Sequence, residues 1–396
     1  MTSLLRVFFG RKTIPVWVTL GACLLTLFCN FEPQHNPPQG KKVRARVLEA
    51  DDSGLMQLGL LTSGPQHLKV EILSGEHKGD IYAATNQLRA QIDLDKIFKP
   101  GDIVLVGLYN GAVPGEATLN AQDHYRIGWT VLLFFLFALL LVWFGGITGL
   151  QALLSFVFSC LVIWKILVPV CLKGYNPLLV SFMAVVILSA VIIFLVAGVN
   201  RKGVTAFTGA IVGILASCLM AWLFTWLFKI NGAVMPYSQA LLYSGYESLS
   251  IADIYIGGIF IGSSGAVMDL GMDVAAGMNE VFAQNPLISR RDLTRAGIRI
   301  GQSVVGTMTT TLLLAYSGGY LTLMMTFCAQ GTEPIDFINN PYVASEVVKT
   351  IVGSFGLVLV APLTAFCGGF ILRGGRKGNG KNACSADLKN EGTQAV

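Results

Sequence analysis

Charged residues are scarce in this sequence: Asp, Glu, Lys and Arg make up 13% of its 396 residues, whereas hydrophobic residues make up 53%. The apolar residues occur in blocks as long as a membrane span, about 20 residues, and not in the amphipathic patterns of surface helices. An integral membrane protein is therefore predicted. The net charge of +5 comes mainly from basic residues in short loops, which set membrane orientation, so nucleic acid is not a predicted partner.

Histidine and paired cysteines are also lacking where chemistry would need them. The four histidines all lie within residues 35–124, so the apolar remainder has no imidazole for a zinc site or a general base. The eight cysteines include no CxxC pair, and none lies in the polar segment 34–126, which favours packing over disulfides. No GxxxxGK[ST] phosphate loop is present, which argues against ATP-driven pumping by this chain alone. Neither a cofactor nor an enzymatic activity is predicted.

The order of the apolar blocks predicts a polytopic α-helical membrane protein with about eight transmembrane helices. The predicted spans are 14–31, 128–144, 150–172, 177–199, 204–228, 251–282, 300–328 and 347–372. The first span follows three basic residues, an order that indicates a signal anchor in preference to a cleaved signal. The predicted parts of the chain are 1–33 (cytoplasmic amino terminus and first helix), 34–126 (β domain), 127–373 (seven-helix bundle) and 374–396 (disordered cytoplasmic tail).

Residues 34–126 have the alternation of a β-rich domain. Apolar and charged residues alternate over 43–47 and 68–72, and turn signals such as Ser74-Gly75 separate the runs. Short strands of this kind predict a small β-barrel or sandwich, of the five-stranded oligonucleotide/oligosaccharide-binding (OB) type. The fold itself implies no ligand. Two roles stay open for this domain: a folded cap or docking surface, and substrate capture or sensing.

Basic residues in three segments predict one orientation. They lie at 201–202, at 289–299 with four arginines, and in the tail with Arg373, Arg376, Lys377 and Lys381. Under the positive-inside rule, a cytoplasmic amino terminus places all three segments in the cytoplasm. The carboxyl terminus is then cytoplasmic as well. The β domain, between the first two spans, and the acidic loop 331–346 are then extracytoplasmic.

The span 251–282 carries acids on one face. At 100° per residue, one stripe contains Gly258, Gly262, Gly265, Ala266, Asp269, Asp273, Gly277 and Glu280. The other faces hold large apolar residues. Because a carboxylate that faces lipid costs roughly 2.5–3.5 kcal/mol, Asp269 and Asp273 are predicted to face the bundle interior or a water-filled cavity.

The next span and the basic segment before it offer a partner face. Polar and small residues recur there at three- and four-residue steps: Arg295, Arg299, Gln302, Ser303, Gly306 and Thr310. Antiparallel helices joined by a short loop would set the two stripes opposite each other. Gly258, Gly262 and Gly306 are expected to permit a close approach of the two backbones.

These two faces form the candidate site. The predicted ion-, proton- or substrate-binding residues are Asp269, Asp273, Asn279, Glu280, Thr307 and Thr310, with Arg295 and Arg299 as gating or ion-pairing residues at the cytoplasmic mouth. Oxygen ligands without thiolate or imidazole suit a proton or a hard cation such as sodium, magnesium or calcium, and no particular metal is assigned.

The alternative for these residues is structural, with the two aspartates pairing with Arg295 and Arg299 to lock two helices together. An intramembrane aspartyl protease is disfavoured. It needs two carboxylates from different helices, whereas Asp269 and Asp273 are one turn apart on the same helix.

Several short motifs resemble a known family. They are the runs 265–269 (GAVMD), 279–280 (NE), 285–286 (NP) and 306–316 (GTMTTTLLLAY), and the junction 198–202 (GVNRK). Together they resemble the YibE/F-like family of bacterial multi-pass membrane proteins, most strongly over residues 177–372. The resemblance implies a bacterial cytoplasmic (inner) membrane and brings no catalytic assignments.

Two functions are carried forward from the sequence. The first is a secondary transporter or permease for a small solute or cation, with Asp269 and Asp273 as its ion or proton site. The second is a non-transporting membrane assembly or signalling component whose β domain binds an envelope partner. The lipid bilayer is a predicted partner in both, and an envelope protein or a homo-oligomer is a further candidate.

Overall fold

A computed structural model describes residues 14–28, 40–109 and 118–373. The chain divides into two compact units. A β unit comprises Gln34–Leu141, and a helical unit comprises Met1–Pro33 with Val142–Val396. The predicted basic segment before the first helix and the predicted tail at 374–396 lie outside the described residues.

The β unit contains six strands in one sheet. They are β1 (Gly40–Asp51), β2 (Met56–Leu58), β3 (Leu61–Ile72), β4 (Ile81–Arg89), β5 (Ile103–Tyr109) and β6 (Thr118–His124). The strand order is β1-β5-β6-β4-β3-β2, and an additional pairing of β1 with β3 closes five of the strands into a barrel. All pairings are antiparallel except that of β4 with β6. The predicted small β-barrel is confirmed, whereas its finer assignment to the OB type is not.

The barrel core comes from strict alternation. Leu68, Val70 and Ile72 of β3 are buried, as are Ala45 and Val47 of β1, because successive side chains of a strand point to opposite faces. Every second residue therefore enters the core, as predicted from the sequence.

The helical unit follows the sequence blocks closely. Eleven helices are described, of which α2 begins in the β unit and continues into the helical unit. They are α1 (Ile14–Phe28), α2 (Ile127–Val162), α3 (Val168–Leu172), α4 (Pro177–Val196), α5 (Arg201–Leu227), α6 (Ser238–Tyr243), α7 (Ile251–Gln284), α8 (Arg290–Gly319), α9 (Leu321–Ala329), α10 (Pro334–Asn339) and α11 (Pro341–Ile371). One π-helical turn, Ile163–Leu167, joins α2 to α3. Asparagine or serine side chains cap the first turns of α4, α5, α7, α8 and α11.

Five helical segments among the described residues are long and apolar enough to cross a membrane, or six if α8 and α9 count as one. Those two helices meet at a bend of 60°, so the predicted span 300–328 is not one straight helix. The first predicted span contains a shorter apolar helix, Val16–Leu27. Two predicted spans, 128–144 and 150–172, fall in a single helical stretch of 46 residues, Ile127–Leu172. The predicted number of eight spans is therefore not confirmed.

The long stretch is broken at one residue. Gly146 has φ 55° and ψ −128°, a conformation that glycine adopts easily and other residues rarely do. The break falls between the two predicted spans.

The core of the helical unit is built on α7 and α11. They run parallel: Tyr255 donates a hydrogen bond to the Ser345 carbonyl oxygen (2.6 Å), and a Cβ placed on Gly353 would lie 3.3 Å from the Ser263 Cβ. Helices α5 and α8 pack against both of them and run in the opposite direction.

Glycines make this packing close. A Cβ on Gly301 of α8 would lie 2.5 Å from the Cβ of Ala361 on α11, and one on Gly209 of α5 would overlap the Thr364 side chain. Helix pairs in membranes pack in this way where small residues let the backbones approach.

Candidate functional site

Helices α7 and α8 form an antiparallel hairpin through the short loop 285–289. Ser289 caps α8: its hydroxyl accepts from the Asp292 amide (3.1 Å) and donates to the Asp292 carboxylate (2.6 Å). The cap fixes where α8 begins, and the short loop makes the two helices neighbours. Side-chain contacts then align them, since a Cβ on Gly277 would lie 2.7 Å from Ile300 and one on Gly262 would lie 2.9 Å from the Tyr316 hydroxyl.

The two aspartates lie midway between these contacts. Asp269 and Asp273 are exposed, while the intervening Leu270 and the adjacent Val274 are fully buried in the helical core. The apolar face of α7 is thus fixed against its neighbours, which leaves the acidic face outermost. The bundle interior, one of the two positions predicted for the aspartates, is therefore wrong. We call the exposed strip along α7 and α8, between Gly262–Tyr316 and Gly277–Ile300, the polar groove.

Some glycines of these two helices have no neighbour. A Cβ on Gly265 or Gly306 in the polar groove would meet no atom within 4 Å, and neither would one on Gly258, one turn beyond Gly262. The expectation that Gly258 and Gly306 bring two backbones together is therefore wrong. The close approaches are made at other glycines, such as Gly277 against Ile300 and Gly301 against Ala361.

Helix α8 contributes hydroxyl groups to the same level of the groove. Thr307 and Thr310 are exposed and lie between Ile300 and Tyr316 along the helix. Each donates its proton to its own helix, Thr307 to the Val304 carbonyl (2.9 Å) and Thr310 to the Gly306 carbonyl (3.0 Å). Because the proton is occupied, each hydroxyl presents oxygen lone pairs outward, which is the form that a cation needs.

The remaining predicted residues lie beyond the groove, toward the hairpin loop. Asn279 is partly buried, and Glu280, Arg295 and Arg299 are exposed. Arg295 makes an ion pair with Asp292 of its own helix at 3.7 Å. Among the described residues, neither Arg295 nor Arg299 is within ion-pair distance of Asp269 or Asp273. The structure therefore brings the aspartates and threonines to one level, and places the arginines apart from them.

Sequence reasoning missed a second polar cluster at the opposite end of the groove. There Glu346 and Lys349 of α11 form a partly buried ion pair (3.5 Å), and the Lys349 ammonium lies 5.5 Å from the centre of the Tyr316 ring. The Tyr316 hydroxyl is buried and has no hydrogen-bond partner among the described residues. The available signal was the i, i+3 spacing of two opposite charges at the start of an otherwise apolar helix.

The donor set is one of oxygens. Within the described ranges, no three His, Cys, Asp or Glu side chains converge on one point as a metal centre would require. The polar groove instead offers two carboxylates one helical turn apart on α7, and threonine hydroxyls at the same level of α8. Such an arrangement can bind a proton or a hydrated hard cation weakly and release it.

Long apolar helices, packed closely through glycines, define the class: this is a helical membrane protein that carries an additional β-barrel unit. A sequence model of the YibE/F-like protein family matches residues 133–374. That region is more than half of the chain and includes the whole polar groove, and the chain belongs to this family. Comparison with curated proteins and with solved structures gave no match.

Proposed function

We propose that this protein is a secondary transporter or permease, and that Asp269 and Asp273 bind the ion or proton that it moves. The observation that carries the proposal is the position of these two carboxylates. They are exposed near the middle of a 34-residue apolar helix, without an ion pair among the described residues.

The free energy of the two carboxylates depends on whether lipid or water covers the polar groove. A carboxylate facing lipid costs roughly 2.5–3.5 kcal/mol, and two on one helix would cost about twice that. Structural pairing with Arg295 or Arg299 would offset this cost, but those arginines lie toward the hairpin loop. We therefore infer that water fills the groove, which is the environment that a transport pathway requires.

The ligands of the groove favour a proton or a hard cation. Carboxylate oxygens and threonine hydroxyls are the groups that coordinate sodium, magnesium and calcium, whereas soft metals prefer thiolate and imidazole. The proposal involves neither catalysis nor a cofactor.

The second polar cluster extends the pathway. Tyr316, Lys349 and Glu346 lie where the groove ends at Gly262, so titratable groups follow one another along α7, α8 and α11. Polar and ionisable groups inside membrane helices commonly mark ion pathways and proton relays. We infer that this cluster forms the far mouth of the pathway.

We also propose a topology of eight spans. The break at Gly146 divides the 46-residue stretch into segments of roughly 28 and 39 Å, close to and above the hydrocarbon thickness of about 30 Å. With α1, and with α8 and α9 as one bent span, eight crossings result. The basic segments 201–202 and 289–299 then share the cytoplasmic side with both termini, and the six-stranded sheet is extracytoplasmic in a bacterial inner membrane.

Ion flux into proteoliposomes tests the proposal. Purified wild type, Asp269→Asn and Asp273→Asn would be reconstituted, and proton, sodium, magnesium and calcium gradients applied in turn. Wild type should give flux above empty liposomes for at least one gradient, and each variant should lose most of it. Glu333→Gln removes an exposed acid outside the groove and should retain wild-type flux.

Water access gives a second test on the same residues. In a cysteine-depleted background, Asp269→Cys and Asp273→Cys should react with small polar thiol reagents if water fills the groove. Wild-type flux in both folded Asn variants would contradict the site. Absence of flux under every gradient, with a reproducible cross-link from the β unit to an envelope protein, would favour the assembly function instead.

A further inference from the structure

A cavity of about 590 Å³ lies between the end of α5, the turn that follows it and the start of α7. Its walls include Trp222, Thr225 and Trp226 from α5, Lys229 from the turn and Asp253 from α7. The volume falls within the range of about 300–1,000 Å³ that is usual for small-molecule sites. The cavity is separate from the polar groove and does not depend on the transport proposal.

Opposite charges line this cavity without pairing. Lys229 and Asp253 both contribute to its wall, and among the described residues neither has an ion-pair partner within 4 Å. Lys229 has a positive φ of 52°, an uncommon conformation for a residue other than glycine. A hydrogen bond from the Ile230 backbone amide to the Thr225 carbonyl oxygen (3.0 Å) holds this turn against the helix end. The backbone of Lys229 is thus fixed beside the cavity.

A buried hydroxyl in the wall lacks a partner. Thr225 is 5% exposed, and its Oγ1 makes no hydrogen bond, whereas Thr205 of the same helix donates to the Arg201 carbonyl (2.8 Å). An unpaired hydroxyl in an apolar environment costs about 1–3 kcal/mol unless a ligand satisfies it. This unpaired hydroxyl belongs to a residue of the cavity wall.

Two indoles complete the wall. Trp222 and Trp226 are 57% and 70% exposed. Tryptophans at the end of a membrane helix are usual at the membrane–water interface, so their exposure alone needs no ligand. Beside an unpaired carboxylate, however, indole faces supply the second element that recognises an ammonium group.

We propose that the cavity binds a zwitterion that carries an ammonium and a phosphate, the chemistry of an ethanolamine phospholipid headgroup. Asp253 and the indoles of Trp222 and Trp226 hold the ammonium, and Lys229 pairs with the phosphate. The same chemistry occurs in a membrane lipid and in free phosphoethanolamine, and the experiment separates these two sources.

The test uses the full-length protein in neutral detergent, with the other four tryptophans replaced by phenylalanine so that fluorescence reports on Trp222 and Trp226. Brominated phosphatidylethanolamine and brominated phosphatidylglycerol are titrated separately as quenchers. The zwitterionic lipid should quench at about tenfold lower mole fraction, the effect of one charge-assisted hydrogen bond. Asp253→Asn should abolish this preference, and Glu247→Gln, an exposed acid outside the cavity, should retain it.

Free phosphoethanolamine is then added as a competitor. Relief of quenching in wild type but not in Asp253→Asn supports the proposal with a soluble ligand, and its absence supports the lipid as source. Lys229→Gln provides an independent variant should Asp253→Asn fail to fold, and should weaken quenching by both lipids. Equal quenching by the two lipids in wild type would overturn the proposal, as would quenching in a folded Lys229→Gln that equals that of wild type.

Discussion

The β unit and the helical unit treat their buried polar groups differently. In the β unit, Gln66 is fully buried, yet its amide donates to Asp52 (2.7 Å) and to the Phe98 carbonyl (2.8 Å) and accepts from Asn86 and from the Phe98 amide. In the helical unit, five buried hydroxyls have no partner among the described residues. They belong to Ser189, Thr225, Tyr316, Thr350 and Thr364.

The difference indicates what each set of polar groups is for. A saturated buried network stabilises and specifies a fold, whereas a group left unpaired costs free energy unless a ligand, an ion or water satisfies it. Polar residues of the β unit are therefore read as structural. Two of the unpaired hydroxyls, those of Tyr316 and Thr225, lie at the polar groove and at the zwitterion cavity.

The largest effect is expected from removing Gln66, the centre of the hydrogen-bond network in the β unit. Gln66→Ala leaves the Phe98 amide and carbonyl unpaired and removes one partner of Asn86, so we expect the β unit to lose about 3–5 kcal/mol of stability. Hydrogen–deuterium exchange of the full-length protein would show this as lost protection in strands β3 and β4.

The matched variant lies in the other unit. Asp269→Asn removes a charge that makes no ion pair, so exchange in α7 should stay within about 0.5 kcal/mol of wild type. A large loss of protection in α7, with Gln66→Ala tolerated, would reverse the assignment of structural and functional polar groups.

Two glycine variants of the helical unit distinguish a closely packed surface from an open one by their effect on stability. Gly209→Ala would force a methyl group into the Thr364 side chain and should destabilise the helical unit by about 1–3 kcal/mol. Gly306→Ala, on the open floor of the groove, should instead stabilise it by about 0.5–1 kcal/mol, because alanine favours the helix and meets no neighbour. Thermal unfolding in detergent would give the two shifts.

The test is whether Gly209→Ala and Gly306→Ala change the stability in opposite directions. If both variants destabilised the protein to the same extent, Gly306 would have a packing partner and the groove would be closed.

The smallest expected effect concerns a salt bridge of the β unit. Burial acts to raise the pKa of Asp123, but its bonds to Lys96 (3.0 Å), the His124 amide (2.7 Å) and Arg126 (2.9 Å) outweigh this and hold the pKa below its ordinary value. The stabilisation is thus complete above about pH 4 and is lost as the pH falls through the lowered value. Because the carboxylate is a third exposed, we expect at most about 1 kcal/mol.

Asp123→Asn isolates this contribution. Exchange protection of β6 in the variant should be lower at neutral pH and should change less than that of wild type between pH 5 and 3. An unchanged acid dependence would assign the sensitivity to other carboxylates.

The fold was predictable where one short-range pattern decided it. Alternation at 43–47 and 68–72 predicted buried strands, and apolar blocks predicted helices such as α4 and α5 almost to their ends. The bend between α8 and α9 falls at Ser317-Gly318-Gly319, a breaker signal that the predicted span 300–328 did not take into account. The closure of β1 on β3 depends on pairing between distant residues, which periodicity does not encode.

The candidate site was predictable in composition but not in contacts. Spacing placed Asp269 and Asp273 on one face, and the short loop made α7 and α8 neighbours. The sequence alone did not show which glycines pack closely. Gly301 and Gly306 lie on the same helix, and they differ because Gly301 contacts Ala361 of α11 whereas Gly306 has no neighbour. The contact of Lys349 with Tyr316 was missed because it joins two helices, α11 and α8, whose packing the sequence pattern does not show.

Gly146 affects how many times the chain crosses the membrane, and therefore on which side the later loops lie. Under the proposed topology, its backbone conformation turns one stretch of about 70 Å into two crossings. A residue that kept helical dihedral angles there would leave a single crossing, and every later loop would then lie on the opposite side of the membrane. The zwitterion cavity and the hairpin loop of the groove would exchange compartments without any change in their own structure. In the proposed topology, one glycine distant in sequence from both sites would thus determine which solution each of them meets.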